Sequence, residues 1–288
     1  MRIFTHRGLE PSKEGFYPES SYEAFREHLR RGYGIEFDVN FCKDGLIVFH
    51  DSGLERITRG KDSRKFSDMT MAEVAEIRYG NPEGRIASLG EVLELISNSG
   101  IGMNAMHLKG SYQNREKLDK LTSKLIEKEK VLARIFVFDV KPRWAMFINS
   151  KIPGIKLAPS VAHDHDIERY NYAVNGTLLS VEDALEHKDR YDWVWLDEWD
   201  LSDTAGKKKK LYTRETFDIL RETGYKIALV TPDLHGTSPG LLGREAHPDA
   251  ENKERLFSRI KEIVALQPDG ICTDFPEEVL NIIRSGEY

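Results

Sequence analysis

The strongest constraint on the fold is an alternation that runs from end to end: short apolar runs rich in β-formers, each followed by a stretch with helical spacing. The strand-like runs fall at Arg2–Thr5, Gly34–Asn40, Gly102–Lys109, Arg134–Phe138, Gly154–Ala158, Trp193–Leu196, Lys226–Val230 and Gly270–Thr273. Helical patterns fill the intervals. In the first of these, Ser20 or Ser21 can cap a helix through Ala24, Phe25, His28 and Leu29 that Gly32 ends. Such alternation predicts a parallel α/β sheet, and eight strands suggest that it closes as a (β/α)8 TIM barrel. The 288 residues suit one barrel, with no repeat or Pro/Gly/Ser-rich linker to divide them, so residues 1–288 are expected to form a single domain. Segment 52–88 is polar and shows no clear strand; it reads as a short insertion that rims the site.

The chemistry is expected where barrel strands end, since active sites gather at their C-terminal face. Glu36 and Asp38 stand two apart on the second strand, so both carboxylates project to one face and call for a cation. Lys43-Asp44-Gly45 between apolar runs signals a hairpin, which folds His50 back towards that pair. The first strand leads directly into His6-Arg7. The remaining strand ends carry His107 and Lys109, then Asp139, His163 and His165, Asp197-Glu198-Trp199, Asp233 and His235, and Thr273-Asp274. Cleaving a phosphodiester needs a base, an acid and positive charge on the phosphoryl oxygens. Two imidazoles supply the first two; a divalent metal on Glu36 and Asp38, together with Arg7, supplies the third.

Order and spacing of these groups resemble the glycerophosphodiester phosphodiesterases. The resemblance rests on His6-Arg7-Gly8, Pro18-Glu19-Ser20-Ser21, Glu36-Phe37-Asp38-Val39, Lys43-Asp44-Gly45 and His50-Asp51. It is weaker through Ser88–Leu93 and Lys109, nearly absent from about Phe136 to His235, and returns at Asp269–Pro276. It implies a metal-dependent hydrolase in which one of His6 and His50 activates the nucleophile and the other protonates the leaving alcohol, either assignment being open. It also implies metal ligands at Glu36, Asp38 and position 107. Substrate-binding groups are then expected at Arg7, Lys109, Glu19, Asp197, Glu198, Trp199 and His235. The departure is His107, where the family has an acidic residue. On a strand it shares a face with Lys109, so its imidazole can still be a ligand. The cofactor expected is one divalent ion, Mn, Mg or Ca.

Composition narrows the partners. A net charge of −6 repels nucleic acid, no apolar run approaches the ~18 residues of a membrane span, and the first strand begins too early for a signal peptide. The expectation is a cytoplasmic enzyme acting on a small-molecule phosphodiester, with no oligomeric state implied. Cys42 and Cys272 have no metal or redox spacing and read as buried free thiols, and Lys207–Lys210 reads as a solvated loop. Two other functions fit the same fold: a lyase like the sphingomyelinase D group, releasing a cyclic phosphate, and a non-catalytic binder of phosphorylated glycans.

Overall fold

The computed structural model describes residues 1–199, 211–234, 247–286 and 288. Among the described residues eight parallel strands make the wall, Arg2–His6, Gly34–Phe41, Asn104–His107, Ile135–Phe138, a fifth split into Lys156–Leu157 and Ser160–Val161, then Trp193–Leu196, Lys226–Val230 and Gly270–Thr273, and the short Leu178–Leu179 adds to Ser160–Val161 in parallel. Consecutive strands pair, and the eighth pairs with the first. The sheet is thus the wall of a (β/α)8 barrel. The fifth strand breaks at Pro159, which has no N–H for the ladder. Its carbonyls still close the wall, accepting from Asp192 N at Leu157 (3.1 Å) and from Trp195 N at Pro159 (3.0 Å).

The Asp-Gly turn does make a hairpin: Leu46–Val48 runs antiparallel to the second strand, with Val39 opposite Val48. Beyond it the insertion builds a small core of its own from Phe49, Leu54, Phe66, Met69, Val74, Tyr79 and Ile86. Contrary to expectation it contains strands. Arg78–Tyr79 pairs with Gly84–Arg85, and Ala87–Ser88 pairs with the hairpin. Two-residue strands carry no readable period, which is why the sequence hides them. Of the two thiols only Cys272 is buried; Cys42 is half-buried beside Met71.

Helix starts follow their caps. Ser21 is the N-cap of Tyr22–Arg30, accepting from Ala24 N, and Ser88 forms a capping box with Glu91 at the head of Leu89–Ser99. Asn114, Thr213 and Asn252 cap Arg115–Ile126, Arg214–Glu222 and Lys253–Ala265. Among the described residues three α-helices go unread in the sequence: Glu129–Leu132, Asp164–Tyr170 and Val181–Glu186. Val181–Glu186 carried a signal, the Ser180/Asp183 capping box. Asp164–Tyr170 carried little, because its cap is an imidazole, His163 Nδ1 accepting from His165 N.

Strand parity sorts the side chains. Phe4, Ala105, Phe136, Phe138, Trp193, Trp195, Ala228 and Cys272 fill the barrel interior, while the intervening Val, Ile and Leu residues pack outward on the helices. Large and small residues interlock: a β-carbon at Gly270 would stand 2.4 Å from the Phe4 ring.

The loop after the first strand is tied to its helix by one buried histidine. His28 Nε2–H donates to the Gly8 carbonyl at 3.1 Å, and burial, aided by the Arg31 charge, pushes its imidazole down to about 3. Falling pH protonates this residue first in the unfolded chain, so stability is lost below 6.5 and continues to fall towards 3. This group alone should lower stability by about 2 kcal/mol between pH 7 and 5. Urea unfolding at both pH values checks this: His28→Gln, which keeps a donor and cannot titrate, should lose that much less stability on acidification.

Candidate active site

Register gathers the site. His6 lies opposite Glu36 on the neighbouring strand, and Asp38 lies opposite His107. These inward positions continue the parity of Phe4 and Ala105 one layer up. Above the aromatic interior they open a cavity of about 350 Å³ whose lining includes His6, Arg7, Glu36, Asp38, His50, His107 and Lys109. Its floor is apolar, with the Phe138 and Trp195 rings stacked at 3.9 Å. The opposite wall comes from Trp199, Val230, Leu234 and segment 173–175.

Each catalytic candidate histidine faces a carboxylate. His6 Nδ1 is 2.8 Å from Asp274 Oδ1, and His50 Nδ1 is 2.8 Å from Asp51 Oδ1. With Nδ1 committed in both rings, Nε2 is the nitrogen suited to exchange a proton with a substrate. Burial would raise the Asp51 carboxyl, but hydrogen bonds from His50 and Arg56 outweigh it and hold it at about 2. Burial also dominates at His50 and pushes it down to about 4, so the ring is neutral.

The carboxylate pair is almost dry, Glu36 being 3% and Asp38 2% exposed. Burial, then the adjacent Asp38 charge, raises Glu36. Burial acts on Asp38 too, but the Lys109 charge and the hydrogen-bonded His107 overcome it and hold that carboxyl well below its ordinary range. Around the pair, Arg7 N–H donates to Glu36 at 3.2 Å, Arg7 Nε lies 3.6 Å from Asp38 and Lys109 Nζ lies 3.7 Å from it. Lys109 also donates to the His50 carbonyl. His107 sits between Asp38 (2.8 Å) and Asp139 (3.4 Å); burial opposes its charge, and those two partners raise it to about 9.

Not every expected residue reaches the cavity. Asp197 and Trp199 line it, Trp199 stacking on Tyr170 at 4.4 Å. Glu19 stands behind, bonded to Arg7 and Arg56. Glu198, expected to bind substrate, points the other way: it accepts from Leu211 N and Tyr212 N and pairs with Arg259 at 2.7 Å. Parity explains this correction, since Trp193, Trp195 and Asp197 face inward and 198 must face out. His235 and Lys207–Lys210 lie outside the described residues. Asp233 is buried and accepts from Asp274 N at 2.7 Å. Asp139, Asp274 and Asp51 were read at strand ends or beside His50, and what sequence reasoning missed is their pairing with His107, His6 and His50. The pairing of Asp274 was findable, because a closed barrel places its eighth strand beside the first, with Thr5 opposite Thr273.

Among the described residues, Glu36, Asp38 and His107 are the group that could hold a metal ion, one donor atom from each lying within 4.8 Å of the others. The donor set fits a divalent cation. Asp38 Oδ2 is buried without a hydrogen-bond partner among the described residues, and a divalent ion would replace the proton that burial favours on Glu36 and the one that Asp38 and Asp139 hold on His107.

Two carboxylate-backed imidazoles thus meet Arg7 and Lys109 at one end of the barrel, and comparison with known proteins gives the class. The model of the glycerophosphoryl diester phosphodiesterase family matches residues 6–278, running on through the half where the motifs fade. A glycerophosphodiester phosphodiesterase of Bacillus altitudinis is 31% identical over 290 residues, spanning 98% of this chain and 97% of that one. In fold the chain is similar to a glycerophosphoryl diester phosphodiesterase from Parabacteroides distasonis (TM-score 0.68, 22% identity, 99% and 86% of the two chains). It is similar too to an Oleispira antarctica phosphodiesterase, solved with its product sn-glycerol-3-phosphate (TM-score 0.64, 17% identity, 99% and 97%). The chain therefore belongs to the glycerophosphoryl diester phosphodiesterase family and is a phosphoric diester hydrolase. Among the described residues, no helix is long and apolar enough to cross a membrane.

If Asp274 and Asp51 hold their imidazoles in the working tautomer, Asp274→Asn and Asp51→Asn should each lower kcat by about 10²-fold, near the lower end for loss of a general acid or base. Steady-state kinetics on variants with unchanged circular dichroism checks this, and an undiminished kcat would show that the ring needs no such partner.

Proposed function

We propose that this enzyme hydrolyses a glycerophosphodiester-like substrate with a polyhydroxylated alcohol, using His6 and His50 as the acid–base pair and one divalent metal ion. The observation that carries the reading is the meeting of both carboxylate-backed imidazoles, Arg7 and Lys109 in one cavity with the Glu36–Asp38 pair. Arg7 and Lys109 bind the phosphoryl oxygens and take up charge as it develops there. His50, neutral through burial, accepts the proton of the attacking water. His6 delivers a proton to the departing alkoxide, its ring oriented by Asp274. Glu36, Asp38 and His107 would hold the metal, which when bound supplies Lewis-acid charge to the phosphate.

The alcohol is accommodated over the Phe138–Trp195 floor, where Ser160, Asn175, Asp139 and Asp197 offer polar contacts to hydroxyl groups. Sugar or polyol phosphodiesters should therefore show higher kcat/KM than glycerophosphocholine. A ranking with the choline ester above every polyol ester would overturn this part of the reading.

His6→Ala and His50→Ala should each lower kcat on an alkyl phosphodiester by ~10²–10⁴-fold with the fold intact. The two roles separate on bis(p-nitrophenyl) phosphate, whose leaving group needs no proton: His6→Ala should recover much of its activity there and His50→Ala should not. Phosphorus NMR of the product distinguishes hydrolysis from the lyase alternative, since a phosphomonoester with no accumulating cyclic phosphate is expected. Two carboxylates and an imidazole suit transition metals better than calcium, so manganese should support activity best and calcium least, with magnesium between.

A further inference from the structure

Asp139 takes no part in the proton transfers above, yet its backbone is held where few residues rest. It stands one residue beyond the fourth strand with φ +67°, in the left-handed region that only Asn, Asp and Gly enter readily. Buried Gln113 secures it. The Gln113 side chain donates to the carbonyls of Asp139 (2.6 Å) and Leu108 (2.9 Å) and accepts from Lys141 N (2.9 Å), joining the ends of the third and fourth strands. This backbone turn brings Asp139 Oδ2 to 3.4 Å from His107 Nε2. The other edge of the same ring faces Asp38, with Nδ1 2.8 Å from Oδ1, and the ring lies flat on Phe138 at 4.7 Å and 9°. One imidazole is therefore fixed in plane and oriented at both nitrogens.

We propose that Asp139 is a positioning residue for the metal site: it accepts Nε2–H of His107 and so fixes the tautomer whose Nδ1 lone pair faces Glu36 and Asp38. The other tautomer would put the proton on Nδ1 and remove the imidazole from the donor set. A carboxylate behind a ligating imidazole also raises its basicity, so Asp139 supplies from outside the ligand shell the negative charge that a neutral His107 does not bring. The inference rests on the metal reading of the preceding section and extends it to a residue outside the ligand set.

The test is calorimetric Mn²⁺ binding to full-length wild type, Asp139→Asn, His107→Glu and the double variant. Asparagine keeps the shape and tolerates the left-handed backbone, so the fold is retained. In the wild-type background Asp139→Asn should weaken Mn²⁺ binding by about 10- to 100-fold. In the His107→Glu background, which has no tautomer to fix, the same change should leave affinity within about twofold, because the coupling has been removed. Nitrogen-15 NMR of histidine-labelled wild type with diamagnetic Zn²⁺ should show His107 protonated at Nε2 and bound through Nδ1. Equal losses in both backgrounds would overturn the inference, as a merely structural role predicts, and so would unchanged affinity of Asp139→Asn. If wild type binds no divalent ion at all, the metal reading falls and this inference falls with it; tight wild-type binding with either of the former results removes the inference alone.

Discussion

Two carboxylates buried side by side on one strand set the terms for everything around them. Taking an anion out of water costs several kcal/mol unless charge and hydrogen bonds compensate it, and Glu36 and Asp38 are both nearly dry. The chain answers with groups from the two neighbouring strands. Arg7 adopts φ +53°, which lets its own N–H reach Glu36 while its guanidinium approaches Asp38. His107 meets Asp38 across the sheet, and Lys109, two residues further on, comes to the same carboxylate. The cations that make this burial tolerable are also the ones a phosphate needs. Backbone strain collects here as well, at Arg7, Ser20 and Asp139, as expected where surrounding contacts hold residues in sparsely populated conformations.

The layer below gives these charges their strength. Phe136 lies flat on Trp193 at 4.8 Å and Phe138 on Trp195 at 3.9 Å, filling the barrel so that the floor of the pocket is apolar and dry. Electrostatic attraction grows as the local dielectric falls, so hydrogen bonds and ion pairs set on this floor act more strongly than they would at an open surface. Stacking also fixes direction. His107 continues the aromatic column by lying on Phe138, which makes the packed interior part of the machinery that aims a polar ring.

Much of this was legible because parity on a strand is a local property. Glu36 and Asp38, or His107 and Lys109, can be placed on one face from spacing alone, and the Asp-Gly turn announces the return of His50. Glu198 was legible by the same rule: Trp193 and Trp195 face in, so 197 does and 198 does not, and its polarity alone suggested otherwise. What local pattern does not carry is pairing between distant strands. His6 and Asp274 are 268 positions apart in the chain, and only closure of the barrel makes them neighbours. The Asp139–His107 contact depends on a left-handed backbone after the fourth strand, which spacing does not announce. The strands of the insertion are too short to show a period, and the fifth barrel strand is divided by a proline that reads as its end.

The pocket has two halves with different obligations, which accounts for the fading of recognisable motifs between Phe136 and His235. Strands one to three carry most of the charged groups, and several of these serve another: Lys109 holds the His50 carbonyl, Arg7 spans Glu36, Asp38 and Glu19, and Asp51 joins His50 to Arg56. A change at one of these positions unbalances several. The wall contributed by Ala173, Val174, Leu178, Trp199, Val230 and Leu234 meets the pocket through shape and apolar surface, which tolerate exchange of similar volumes far better than a charge network tolerates the loss of a partner. Its position is nevertheless secured against the charged half by close packing: a β-carbon at Gly110, next to Lys109, would stand 2.3 Å from the Val174 carbonyl oxygen. A wall anchored at that point can vary in its facing side chains, and with them the shape of the pocket, while the charged half of the site stays as it is.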